Sequence, residues 1–155
     1  MWKMILTNED IQQFMERMLY FHDSCIKEIY YLSGAYVSDD LSMYPINDRR
    51  ILRVVVQRQY EKDSMIEIEF QGIKELKLFP VDENYTCEIL NSTMIMEGRD
   101  IYWYDSNDTL ESALTTNSGI FIRASKLKWR SIEHQMGAKS FYCVDDQDKH
   151  MDGNT

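Results

Sequence analysis

A chain of 155 residues with 44% apolar and 28% charged side chains can bury one core of ordinary size and is too hydrophobic to remain disordered. Its formal net charge of −9 opposes contact with nucleic-acid phosphates and anionic lipids, and would steer a basic protein surface toward it. No apolar run approaches the ~18 residues of a membrane-spanning helix.

Ile11, Phe14, Met15, Met18 and Leu19 recur at helical spacing, and Thr7 with Asp10 supplies a capping box in which an aspartate replaces the usual glutamate. The spacing predicts a helix over Asn8–Tyr20. The period then becomes extended, and Cys25–Tyr31 reads as a first strand. Gly34 and Ser38–Asp40 break it, Leu41–Tyr44 has room for a short strand, and Pro45–Arg49 reads as a loop.

Ile51–Tyr60 and Met65–Phe70, joined by the polar cluster Glu61–Ser64, predict a hairpin. Glu67 and Glu69 share one face of it, with Arg53 or Arg58 across from them, as suits a half-solvated antiparallel sheet. Glu75–Phe79 reads as a separate short strand ended by Pro80. Thr93–Met96 and Ile101–Tyr104 flank Glu97–Asp100 as a second hairpin. Asp108, with Glu111 three residues on, can start a short helix, and Ile120–Ala124 with Lys126–Arg130 form the last strand or strand pair.

The fold expected is α+β, with an N-terminal helix packed on a mostly antiparallel sheet or partly open barrel of about seven or eight strands. Residues 1–135 are expected to form the domain and 136–155 a flexible acidic tail.

Residues that carry chemistry are sparse. His22-Asp23-Ser24 holds the three residue types of a hydrolase triad, but neighbours in extended chain point to opposite faces and cannot align as nucleophile, base and orienter. Placed between helix and strand, the three are better read as a junction, with short polar side chains bonding exposed backbone groups. His22, His134 and His150 have no paired spacing, and Asp39-Asp40 and Asp145-Asp146 lack the regular oxygens and glycine turn of a calcium loop, so no metal site is expected. No phosphate-cradling glycine motif occurs, and no cofactor is expected. Cys25, Cys87 and Cys143 lie far apart and read as reduced thiols of a cytoplasmic protein. The short apolar start Met1–Leu6 does not read as an export signal.

Ten tyrosines remain to be explained. Aromatic strand residues usually pack in the core or across strands, but Tyr30, Tyr44, Tyr102 and Tyr104 are candidate anchors for a protein partner.

The run from Tyr20 to Ile29, YFHDSCIKEI, resembles the FHD[AS]xI opening of small bacterial proteins of uncharacterised role, some of them classed as immunity proteins of polymorphic toxin systems. Leu76–Pro80, Ile101–Trp103 and Leu127–Arg130 are similar to their later strand signatures, so the resemblance spans about residues 7–130. It implies a non-enzymatic, cytosolic, acidic protein that binds and blocks a toxin. A small-ligand binder or enzyme with a pocket near His22 and Asp23, and a self-associating structural domain, are the alternatives.

Overall fold

The computed structural model describes residues 1–142, which form an α+β fold of nine strands and two α-helices. Helix α1 (Asn8–Arg17) starts where its cap predicts. Thr7 Oγ1 accepts the Asp10 N–H at 3.1 Å and the Asp10 carboxylate accepts the Thr7 N–H at 2.9 Å. The Leu6 amide bonds the same carboxylate and, foremost among these contacts, holds it below the usual carboxylate range. The helix ends at Arg17, short of the expected Tyr20, because Leu19, Tyr20 and Phe21 all turn left-handed, at φ of 51°, 54° and 60°.

Seven strands make one antiparallel sheet that does not close on itself. β2 (Ser24–Leu32), β5 (Ile51–Arg58), β6 (Met65–Phe79), β9 (Gly119–Ser131), β8 (Asp100–Tyr104) and β7 (Thr93–Glu97) follow in that spatial order. β1 (Lys3–Ile5) pairs with the end of β9, a three-residue strand that no local pattern announces. β3 (Tyr36–Val37) and β4 (Met43–Tyr44) pair only with each other.

Met65–Phe70 and Glu75–Phe79, expected as separate strands, are one strand, and the last strand or strand pair is the single strand β9. β6 runs through Gly72, whose φ of +65° lets the buried set pass from Phe70 to Ile73 beside Ser125, and bulges between Ile73 and Glu75. The two bends let one long β6–β9 ladder carry β5 and β2 at one end and β8 and β7 at the other.

The inner face of this sheet is the core. Val54, Ile68, Phe70, Ile122, Leu127 and Trp129 meet Phe14, Met15 and Met18 of α1, and the Phe14 ring lies 5.1 Å from Trp129. Phe21 is fully buried between Phe14 and Trp103. α2 (Leu110–Thr115), capped by Thr109 rather than Asp108, packs Ala113 against Tyr104 and Phe121 on the outer face.

The outer face departs from the half-solvated surface expected. Glu67 and Glu69 are 1% and 2% exposed. Arg53 lies opposite Glu69 and donates to it at 2.8 Å, Lys128 approaches Glu69 at 3.3 Å, and Arg130 reaches Glu67 at 2.7 Å. The Trp2 ring covers Lys128 and Arg130, at 4.5 and 4.6 Å. Arg58 does not take part: it is buried and donates to the Lys62 and Asp63 carbonyls.

The segment leading to Tyr142 joins this layer instead of hanging free as part of a tail. Phe141 and Tyr142 pack on Val55, Met65 and Ile132, both their amides donate to Glu28, and the Tyr142 hydroxyl donates to Glu67. Residues 143–155, including Cys143, His150 and the remainder of the expected tail, lie outside the described residues.

Candidate protein-interaction surface

The His22-Asp23-Ser24 junction works through its backbone. The Asp23 N–H donates to Ile89 O at 3.1 Å, Asp23 O accepts the Gln59 N–H, and Ile89 N–H donates to Ser24 O at 2.7 Å. The start of β2, the end of β5 and the 80–92 connection are pinned at this point. The side chains do less than expected. Ser24 is buried and its hydroxyl makes a long 3.4 Å bond to His22 O. The Asp23 carboxylate meets the His22 imidazole at 3.0 Å, with both side chains about half exposed, rather than capping backbone donors. The His22 ring does not bond the helix carbonyls; its backbone N–H donates to Leu19 O instead.

The turn before it is strained, since each left-handed non-glycine residue costs ~1–2 kcal/mol. Ser92 ties it down: its hydroxyl donates to Tyr20 O at 3.0 Å and accepts the Trp103 indole N–H at 3.3 Å. Tyr20 is exposed and has φ 54°, so Tyr20→Gly is expected to leave stability unchanged or raise it by up to ~1 kcal/mol, against the usual cost of glycine. Urea denaturation of the two chains checks this.

The four candidate tyrosines fall in three environments. Tyr104 is buried against Phe121 and donates to Asp108 O at 2.8 Å, so it is not an exposed anchor. Tyr102 is half-buried, edge-on to Phe121 and under Arg123. Tyr30 is exposed on β2 with its ring beside Tyr142. Tyr44 is exposed and belongs to a feature that strand-by-strand reading missed.

That feature is an arm between β2 and β5. Ser33 O accepts both the Arg49 and Arg50 N–H groups, at 3.0 and 3.1 Å, and closes its base. Between them Tyr36 pairs with Tyr44 and Val37 with Met43, the tyrosine rings stack at 5.1 Å, and Ser38 and Ser42 close the tip. Every residue from 35 to 49 is exposed. Leu41 is 83% and Met43 71% exposed, and Tyr36, Val37, Tyr44 and Ile46 lie with them in solvent.

Above its base, where Arg49 and Arg50 stand, the arm's charge is negative throughout. From residue 33 to 48 it carries Asp39, Asp40 and Asp48 and no lysine or arginine. The Ser42 amide, foremost, holds the Asp40 carboxyl below its ordinary range, so this charge persists in mild acid. Contiguous apolar surface rimmed by polar groups marks interaction sites on soluble proteins. The sequence signal was present in the aliphatic and aromatic run itself, which has neither helical nor alternating period.

A separate cleft of about 610 Å³ opens where β2, the end of β6 and the starts of β9 and of the β8–α2 loop meet. Ile26, Ile29, Leu78, Ile89 and Ile120 give it an apolar lining, and Asp105 enters from one side. His22 and Asp23 do not line it. Asp105 Oδ1 accepts the Ile120 N–H at 3.0 Å, yet burial pushes its carboxyl above the ordinary value. A raised folded pKa means stability is lost as pH climbs from the unfolded value of ~3.9 through the folded one. Asp105→Asn retains the acceptor and is expected to stabilise the fold at pH 7 by up to ~1 kcal/mol. Denaturation at both pH values checks that the gain vanishes below pH ~3.9.

Among the described residues there is no group of three or more His, Cys, Asp or Glu placed to hold a metal ion, and no helix long and apolar enough to cross a membrane. No protein-family model matches the chain, and neither a curated protein nor a solved structure matches it.

Proposed function

We propose that this chain is a non-enzymatic protein-binding domain that engages its partner through the aromatic arm of residues 33–50, whose stretch from 33 to 48 is acidic. The observation that carries the reading is the exposure of residues 35–49, where large apolar side chains lie together in water. Tyr36 and Tyr44 supply rigid anchors, stacked before the partner arrives and therefore cheap to order on binding. The aspartates select a partner with an apolar pocket in a basic surface. An immunity-like inhibitor of a toxin in a bacterial cytoplasm is the role that best joins this surface to the resemblance around Phe21–Ile26.

The partner is to be isolated by affinity purification from the native host, with neighbouring genes as a guide, and studied by surface plasmon resonance. Asp39→Lys with Asp40→Lys is expected to slow association tenfold or more at low salt, an effect that fades as the Debye length shrinks below ~8 Å. Tyr36→Ala is expected to speed dissociation instead. Arm variants with unchanged rates in both directions, or turnover of a small molecule lost on His22→Ala in a folded variant, would reject the reading.

A further inference from the structure

We infer that the free edge of β2 and the adjoining cleft form a second binding site, which takes an extended peptide segment of alternating apolar and basic residues. The inference rests on the chain being a protein-binding domain but does not use the arm.

β2 is hydrogen-bonded along one side only. β5 pairs with it from Ser24 to Leu32, whereas on the other side Ser24 alone is bridged, to Ile89. Beyond that bridge the edge of β2 has no strand partner among the described residues. An open row of backbone donors and acceptors is a template for one more strand.

The cleft lies along the same stretch of β2. Ile26 and Ile29 stand opposite Val56 and Val54, so they belong to the inner face, yet both remain only partly buried. Leu78 stands opposite Ile120 on the same face and is 52% exposed. The inner face is therefore left unfilled at this corner, beside an unpaired edge. A strand added to β2 places every second side chain toward the inner face, where the lining is apolar.

Charge decides what the other side chains are. Glu88 and Asp105 line the cleft, and Asp82 and Glu83 flank it on the 80–92 connection. Two nearby cations are engaged by backbone carbonyls: Lys27, which also lines the cleft, bonds Gly137 O, and Lys77 bonds Leu114 O on the outer face, so the acids outnumber the one lysine at the rim. An acidic rim around an apolar slot selects lysine or arginine between the apolar residues. It also disfavours a second copy of this chain, which would bring the same acids and a net charge of −9.

The probe is a fluorescein-labelled octapeptide alternating valine and lysine, added to the full chain. Anisotropy is expected to saturate, with affinity at least tenfold above that of the valine–glutamate peptide. Methylating alternate backbone nitrogens keeps the charge but removes ladder donors, and is expected to cost tenfold or more. Leu78→Arg, at an exposed position, is expected to abolish binding without lowering the melting temperature. Amide shifts in nuclear magnetic resonance spectra are expected at Cys25–Leu32, Leu78 and Ile120. Absent saturation, equal binding of the glutamate or methylated peptide, full binding to Leu78→Arg, or shifts confined to residues 33–50 would each overturn the inference. Because arm substitutions leave this assay untouched, its failure beside arm-dependent partner binding would sink this site alone.

Discussion

Phe21→Ala is expected to lower unfolding free energy by ~3–5 kcal/mol, among the largest single losses available in this chain. Phe21 is fully buried and its ring contacts Phe14 of α1 and Trp103 of β8, so truncation opens a cavity where helix and sheet meet. A second cost follows from the backbone. Leu19, Tyr20 and Phe21 hold left-handed angles that the unfolded chain avoids, and burial of this ring is what offsets them. Without the ring, the turn relaxes and the Ser92 bond to Tyr20 O is strained or lost. Phe21→Leu keeps most of the volume and should lose roughly half as much. Guanidinium titrations of the three chains check the order; a Phe21→Ala loss below ~1 kcal/mol would mean the turn is held by its neighbours alone.

Arg130→Met is expected to cost ~2–4 kcal/mol, because it strands the Glu67 carboxylate under the outer layer. Arg130 bonds one Glu67 oxygen through both Nε and a terminal nitrogen, at 2.8 and 2.7 Å, while the Tyr142 hydroxyl holds the other. Glu67 is 1% exposed, whereas the Arg130 side chain is 38% exposed, so removing the arginine loses little packing but leaves a buried charge half-satisfied. The second substitution Glu67→Gln should recover most of the loss, since an amide in that place carries no charge and still accepts from Tyr142. A double-mutant cycle measures this coupling; additive losses would show that the pair acts as two independent side chains. The same layer makes the fold acid-sensitive. Burial raises the Glu69 carboxyl, but bonds from Gln71, Arg53 and Lys128 outweigh it and leave the group below its ordinary value. A depressed carboxylate pKa gives stability that is present above the unfolded value of ~4.3 and lost as pH falls through the folded one.

Local signals in the sequence were read correctly where a few neighbours decide the outcome. Thr7 and Asp10 start α1, and the valine-rich run and its alternating partner form β5 and β6 in a register that sets Arg53 against Glu69. Long-range packing hid the rest. Nothing near Lys3–Ile5 says that β9 will pair with it, and Met65–Phe70 and Glu75–Phe79 read as separate strands although Gly72, with its left-handed angle, joins them into one. Glu67 and Glu69 read as solvent-facing because alternation marks polar positions as outside; their covers, Arg130, Tyr142 and Trp2, lie far along the chain. For the candidate surface, Tyr44 and Tyr36 were legible as surface aromatics, but Val37, Leu41 and Met43 beside them were not. Tyr36, Leu41 and Met43 carry no periodicity, and only the closure of the arm by Ser33, Arg49 and Arg50 places them together in water.

If the arm binds and does not build the fold, excising it removes binding and leaves the fold intact. Replacing residues 35–48 with a short glycine-containing turn joins β2 to β5 without touching the buried core, because every excised residue is exposed. Partner affinity of the excised chain by surface plasmon resonance, at a melting temperature matched to the parent, is the decisive measurement. A loss of affinity of at least about a hundredfold, the equivalent of ~2.7 kcal/mol, is expected. Affinity retained within a factor of about three would contradict it.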